Sequence, residues 1–273
     1  MSGHAGSITG LLLTSILGAL LVVSCSTVAL TGRKQLDLVP ESEVLSASAH
    51  QYEQFMREHK RSSDAVQTAR IKRVGARIQA AVERYARQAD RTRDLAGYAW
   101  EFNLVESKEV NAWCMPGGKV VFYTGIMPVC RDDDGVAVVM GHEVAHAVAK
   151  HGAERLSQGL LAEMGDAALG VALHSRSPET QQLWMNAFGA GAQYGLLMPF
   201  SRTQESEADH LGLIFMAMAG YDPHQAIHFW QRMSQATHDQ KPPEFMSTHP
   251  SDAHRIQRIQ AELPQALTYY KSR

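Results

Sequence analysis

The sequence predicts a mainly helical α+β fold with one small antiparallel sheet, and three patterns carry that expectation. Ile71, Val74, Ile78, Val82 and Tyr85 recur at helical spacing and put one apolar stripe along a helix. Tyr98–Val105 alternates and is rich in strand formers, and two more strand-like runs follow at once. Residues 134–150, DGVAVVMGHEVAHAVAK, are apolar almost all round, the mark of a buried central helix.

The N-terminal segment stands apart from these elements. Residues 11–23 read LLLTSILGALLVV, too short for a comfortable membrane span and suited to the apolar part of a signal peptide. Val22-Val23-Ser24-Cys25 resembles a bacterial lipobox, in which cleavage before the cysteine leaves that residue lipid-modified. The segment departs from the pattern in carrying only His4 where a Lys or Arg is expected. An uncleaved anchor and a buried N-terminal helix are the alternatives. The expected division is a lipoprotein-type signal peptide over 1–24, a tether over 25–40 and one domain over 41–273, with Cys25 as the lipid attachment. By that resemblance, Ser26 rather than Asp after the cysteine implies a periplasm-facing lipoprotein, of the outer membrane in a Gram-negative cell envelope.

Within the domain, Glu41–Lys60 is expected to be helical, followed by the helix of the 71–85 stripe. The other face of that second helix is basic, with Arg70, Lys72, Arg73, Arg77, Arg84 and Arg87, and reads as a solvated surface. Val110–Met115 and Lys119–Thr124 supply two more strands, joined by Pro116-Gly117-Gly118. Gly152–Leu173 and Pro178–Phe188 read as further helices and GAGAQYG as a loop or tight crossing. Ser201-Arg202-Thr203-Gln204 fits a capping box for a helix that should stop at Gly220. A helix over His224–Ser234, the loop HDQKPPEFMSTHP and a last helix from Ser251 to Leu267 complete the chain, the last burying Ile256, Ile259 and Leu263.

Bulk properties narrow the function classes. The 273 residues are 45% hydrophobic and 20% charged, with a net charge of -2, so nothing points to a nucleic-acid partner. With Cys25 given to lipid, Cys114 and Cys130 remain; in an oxidising compartment they can pair, and a disulfide and two buried thiols stay equally open.

His142-Glu143-Val144-Ala145-His146 is H-E-x-x-H. On a helix it sets two imidazoles one turn apart on one face, able to share one Zn²⁺. Glu143 is rotated by about 100° from His142, out of reach of that ion but placed to take a proton from a water beside it. Two His and a Glu in so apolar a helix are costly unless something satisfies them, and a metal does. The third ligand must come from elsewhere. Glu205 and Asp209 share a face of the 201–219 helix, and Gly212 on that face permits close packing. Glu205 is therefore the expected third ligand and Asp209 the acceptor that orients a ligand His. Glu207, rotated by about 200° from Glu205, should point away.

H-E-x-x-H followed by E-x-x-A-D resembles the gluzincin zinc metallopeptidases that include HtpX and the CAAX prenyl proteases. Asn111-Ala112-Trp113 with Pro116-Gly117-Gly118 resembles that family's edge strand, His151-Gly152-Ala153-Glu154-Arg155 its continuation of the active-site helix, and Ser247-Thr248-His249-Pro250 with Arg255 its C-terminal motif. The likeness covers roughly residues 40–265 and is nearest the soluble, periplasm-facing branch of LoiP and BepA, without C-terminal helical repeats. It implies a zincin-like fold, one Zn²⁺ per chain, Glu143 as general base, and His249 near the metal as an occluding fourth ligand or an oxyanion donor. Arg255 would support that region. An extended substrate could add to the edge at Val110–Met115, which suits unfolded or misassembled envelope polypeptides in protein quality control. The expected partners are those substrates and, through the lipid anchor, the membrane. A zinc-stabilised periplasmic chaperone or assembly factor with gated or minimal proteolysis is the alternative. A peptidase restricted to one substrate, such as a prenylated peptide, is a third reading.

Overall fold

The computed structural model describes residues 25–28, 30–159, 200–236, 244–249 and 254–271. The expected signal peptide, the helix Pro178–Phe188, the GAGAQYG loop and most of Gly152–Leu173 lie outside them; residues 151–159 are helical. The first described segment, expected as a tether, forms an antiparallel pair of short strands, β1 (Cys25–Thr27) and β2 (Lys34–Leu36).

Two helices follow, α1 (Glu41–Glu58) and α2 (Ala65–Gln88). Ile71, Val74, Ile78 and Val82 of α2 are buried in the core, and Tyr85 packs against it. The basic face of α2 is only partly solvated. Arg70 and Arg73 both pair with Asp133, and Arg84 Nη2 donates to the Met218 carbonyl at 2.6 Å. Exposed-looking arginines thus fasten α2 to its neighbours, because long side chains reach past their own helix.

The sheet of β3 (Glu101–Val105), β4 (Ala112–Met115) and β5 (Lys119–Tyr123) has the order β3-β5-β4. Strands β4 and β5 form the expected antiparallel hairpin, turned through Gly117 and Gly118 at φ +87° and +81°. Strand β3 instead joins the far side of β5 in parallel, so the sheet is mixed. The physical reason is that residues 106–111 carry the chain across the sheet before the hairpin folds back into the middle. Beyond β3, residues 60–62 close that edge through Ser62 N–H to Leu104 O and Glu106 N–H to Lys60 O, both 2.8 Å. Strand β4 has no other strand beside it among the described residues.

A short turn α3 (Met127–Cys130) leads into the central helix α4 (Asp133–Val148), in which every residue from Gly135 onward is buried. The Asp132 side chain caps it by accepting from Gly135 N–H. Helix α5 (Arg202–Met218) starts at Ser201 with the capping box read from the sequence. Then come α6 (Gln225–Gln235), α7 (Glu244–Thr248) and α8 (Arg255–Leu267). Helix α7 falls within the stretch expected to be loop. No helix among the described residues is long and apolar enough to cross a membrane.

Helices α4 and α5 touch backbone to backbone. A Cβ on Gly141 would lie 2.8 Å from Gly212 O, and one on Gly212 would lie 2.9 Å from His142 N. Because rigid backbone cannot yield as a side-chain tip can, Gly212→Ala should lower unfolding free energy by about 1–3 kcal/mol. Chemical denaturation with stability equal to the parent would show that the crossing is looser than described.

Candidate metal centre

The crossing sets the first turn of α5 against the middle of α4. His142 and His146 leave one face of α4, Glu205 enters from α5, and His249 follows directly on α7. Their ligand-type atoms all lie within 4.8 Å of one another, and all four residues are buried. His142 Nε2 is 3.2 Å from both His146 Nε2 and His249 Nδ1. Glu205 Oε1 is 3.3 Å from His146 Nε2 and 2.9 Å from His249 Nδ1. Glu143 points to the same space, with Oε1 3.4 Å from His249 Nε2.

This donor set fits zinc. Three imidazole nitrogens and one carboxylate converge on a common point, the ligand types and number that tetrahedral Zn²⁺ takes. Among the described residues, neither Glu205 Oε2 nor Glu143 Oε1 has a hydrogen-bond partner, although both are buried. Glu205 Oε2 has the Arg255 guanidinium as an ion contact at 2.8 Å, whereas Glu143 Oε1 has only His249 Nε2 at 3.4 Å and is costly to bury unless a cation or water completes the site.

The electrostatics prepare the groups differently. Burial would raise the Glu205 carboxyl, but His142, His146 and His249 around it hold it far below the usual carboxylate range. It is an anion at any working pH. Burial pushes His146 down, which keeps its imidazole neutral and free to offer a lone pair. Glu143 moves up by burial, only partly offset by the nearby imidazoles, which makes it a stronger base than an exposed carboxylate. Burial would lower His249, but Glu143 and Glu205 reverse that and raise it.

The imidazoles of His142 and His146 are each held from behind. Asp209 Oδ1 lies 3.0 Å from His142 Nδ1. Arg255, fully buried, donates to Asp209 at 2.7 and 2.9 Å and brings Nη1 within 2.8 Å of Glu205 Oε2, as an ion contact without hydrogen-bond alignment. Its guanidinium lies over the Trp230 ring, 3.4 Å from the centroid. His146 is held by His151, whose Nδ1 is 2.8 Å from His146 Nδ1 and whose Nε2 is 2.8 Å from Glu207 Oε2.

The sequence left that second support undecided for His151 and turned Glu207 away. Continuous helix would place His151 about 140° around from His146. Lys150, at φ +59°, ends the helix and swings His151 back. Glu207 does leave the metal-facing side of α5, but it enters the interior beside His151 instead of solvent. Phe200 also escaped notice: its ring lies 4.0 Å from that of His146 and stacks on His249, which Phe245 covers from another side. No periodic signal marks it.

The remaining sequence-predicted positions scatter. Asn111 Oδ1 accepts from Ala112 N–H at 2.9 Å, Ala112 is in the core, and Trp113 packs edge-on against Phe55 and Tyr52 of α1. Trp113 therefore faces away from the metal ligands. Cys114 and Cys130 are free thiols, so the disulfide does not form. Cys130 is enclosed in the core at the end of α3, whereas Cys114 sits on the edge strand close enough to Glu143 for that charge, after burial, to push its thiol up. Cys25 is exposed at the start of β1. His210, facing elsewhere, meets Glu262 at 2.6 Å.

The sequence profile of peptidase family M48 matches residues 72–263, more than half of the chain. The mitochondrial metalloendopeptidase OMA1 of Schizosaccharomyces pombe is 39% identical over 61% of this chain and 48% of its own length. That of Saccharomyces cerevisiae is 34% identical over 65% of this chain and 51% of its own. The beta-barrel assembly-enhancing protease of Escherichia coli is 29% identical over 58% and 33%. The chain thus spans about half the length of the two yeast relatives. These likenesses correct the expected location. The stronger matches are mitochondrial proteins, with the bacterial protease more distant, so an outer-membrane lipoprotein of the cell envelope does not stand. The short apolar leader and the cysteine after it are a weak, compositional signal beside identity across the folded domain.

Removing one partner of a buried ion pair leaves a charge that nothing solvates. Arg255→Gln should therefore cost about 3–5 kcal/mol in metal-free protein. A denaturation midpoint that moves by less than the equivalent of about 1 kcal/mol would show that Asp209 and Glu205 do not depend on this cation.

Proposed function

The chain belongs to peptidase family M48, and we propose that it is a zinc-dependent endopeptidase that cleaves unfolded or misassembled polypeptides. One observation carries this reading. Two imidazoles of H-E-x-x-H and a carboxylate from a separate helix converge in one buried site, with the carboxylate of Glu143 beside them.

His142, His146 and Glu205 would hold the ion. When bound, zinc supplies a Lewis acid that polarises a peptide carbonyl and makes water easier to deprotonate. Glu143, its proton affinity raised by burial, takes the proton from the attacking water and returns it to the departing amine. Asp209 and His151 fix the rings of His142 and His146, and Arg255 anchors Asp209 and Glu205. His249, turned towards its protonated form by Glu143 and Glu205, is suited to donate to oxygen as negative charge develops there.

Substrate recognition is read from β4. Its outer edge carries no other strand among the described residues, and Cys114 on it lies near Glu143. An extended polypeptide added there would be held by main-chain hydrogen bonds, which select for unfolded segments more than for particular side chains. The names of two relatives, a metalloendopeptidase and a beta-barrel assembly-enhancing protease, agree with proteolysis in protein upkeep.

A second reading has its own support. With His249 among the ligand atoms and Phe200 and Phe245 stacked on it, the arrangement is that of a closed four-ligand site. A zinc-stabilised assembly factor whose proteolysis is gated or minimal would have this appearance.

Two variants separate the readings. Glu143→Gln should retain one zinc per chain while casein cleavage falls roughly 100- to 10,000-fold, and undiminished cleavage excludes Glu143 as the base. Chelation should abolish the parent's activity and added zinc restore it. His249→Ala should raise cleavage if this residue gates the site and lower it if it donates. A parent inactive under every condition, with His249→Ala equally inactive, favours the assembly factor.

A further inference from the structure

The N-terminal strand pair touches the metal centre's supporting network, although it lies more than a hundred residues from the nearest ligand in sequence. Arg33, on the connection between β1 and β2, donates through Nε to Glu207 Oε2 at 2.6 Å. Its two terminal nitrogens form a bidentate pair with Glu154 at 2.9 and 2.8 Å. Thr31 on the same connection donates to the other oxygen of Glu207. Gln204 Nε2, in the first turn of α5, donates to Glu154 at 2.8 Å. His151, Glu154 and Glu207 are all buried, so these are not surface ion pairs of little consequence.

The protons can be placed by elimination. The Nε2 of His146 faces the other ligands, so its Nδ1 carries the hydrogen and donates to His151 Nδ1. His151 must then carry its own hydrogen on Nε2, where it donates to Glu207. That carboxylate, a pure acceptor, is fixed in turn by Thr31 and Arg33. With both rings neutral, any other arrangement leaves two donors or two lone pairs facing one another. The chain of contacts therefore locks one tautomer of His146, with its lone pair turned to the ligand cluster.

We propose that Arg33 and Thr31 act as positioning residues for the metal ligand His146, working through Glu207 and His151, so that the N-terminal strand pair is an integral brace of the metal centre. This rests on His146 being a ligand. The strand pair is thus a point of control. Whatever displaces residues 31–33 frees Glu207, releases His151 and lets the His146 ring turn. Asp209 and Arg255 steady His142 independently, so the loss would weaken the ion's hold without removing a ligand.

The test compares full-length Arg33→Gln, Glu207→Gln and His151→Phe with the parent and with Lys34→Ala. The Lys34 side chain is bonded to Thr27 in the same strand pair, and only its backbone carbonyl, which the substitution keeps, meets Arg33. Zinc dissociation constants are measured by chelator competition, and thermal midpoints are taken on the zinc-free proteins. Affinity for zinc should fall roughly 10- to 100-fold in His151→Phe and Glu207→Gln, less in Arg33→Gln, and within about twofold not at all in Lys34→Ala. Arg33→Lys, which keeps the charge, should recover part of the Arg33→Gln loss. Lower zinc-free midpoints with unchanged zinc affinity overturn the proposal, because the network would then hold the fold alone. Failure of all three network variants to fold overturns it for the same reason. A parent that binds no zinc would instead refute the metal-centre reading on which the proposal rests.

Discussion

The contact on which the structure turns is the one between the backbones of α4 and α5 at Gly141 and Gly212. With no Cβ on either side, the helices approach until the first turn of α5 faces the buried motif of α4. Glu205 then meets His142 and His146 across the crossing, and Asp209, one turn further along, falls behind His142. A larger residue at either glycine would separate the ligands by displacing whole helices, and no adjustment of the imidazole rings would recover the lost distance.

Close approach alone would not make such a site tolerable. Three imidazoles and two carboxylates sit against a core of aliphatic and aromatic side chains. Each is expensive there unless it meets an opposite charge or a hydrogen-bond partner. Arg255 supplies permanent positive charge between Asp209 and Glu205, and its stacking on Trp230 replaces some of the hydration it gives up. Within the centre, one oxygen each of Glu205 and Glu143 and one nitrogen of Arg255 are buried without an aligned hydrogen bond. Three imidazoles and a carboxylate converging within 4.8 Å, with a second carboxylate beside them, form a site shaped to take a cation.

The two ligand imidazoles are braced by unlike means. His142 is backed by a carboxylate that a guanidinium neutralises. His146 is backed by a second imidazole, which is backed by a carboxylate that an arginine near the N-terminus neutralises. In both, a neutral ring faces the ligands and a compensated anion stands behind it, and the extra imidazole makes one path longer. That added length lets a segment remote from the site bear on it. His249, with Phe200 and Phe245 stacked on it, gives the centre a closed form, and the helix α7 just before it is only five residues long.

By itself the sequence determined the helical character, the capping box at Ser201, the burial of α4, and a candidate ligand set of His142, His146 and Glu205 with Glu143 beside them. These follow from periodicity and from the cost of burying polar groups, both local properties of the chain. The likeness of its motifs to a known family pointed to His249 and Arg255, which no local pattern would have selected. Tertiary structure alone decided the rest. The parallel placement of β3, the thiols of Cys114 and Cys130 held apart, the turn at Lys150 that returns His151 to His146, and the reach of Arg33 to Glu207 are all set by how distant segments pack. Helical rotation states which way Glu207 leaves its helix. Only the neighbouring elements decide whether that direction meets water or the back of a metal centre.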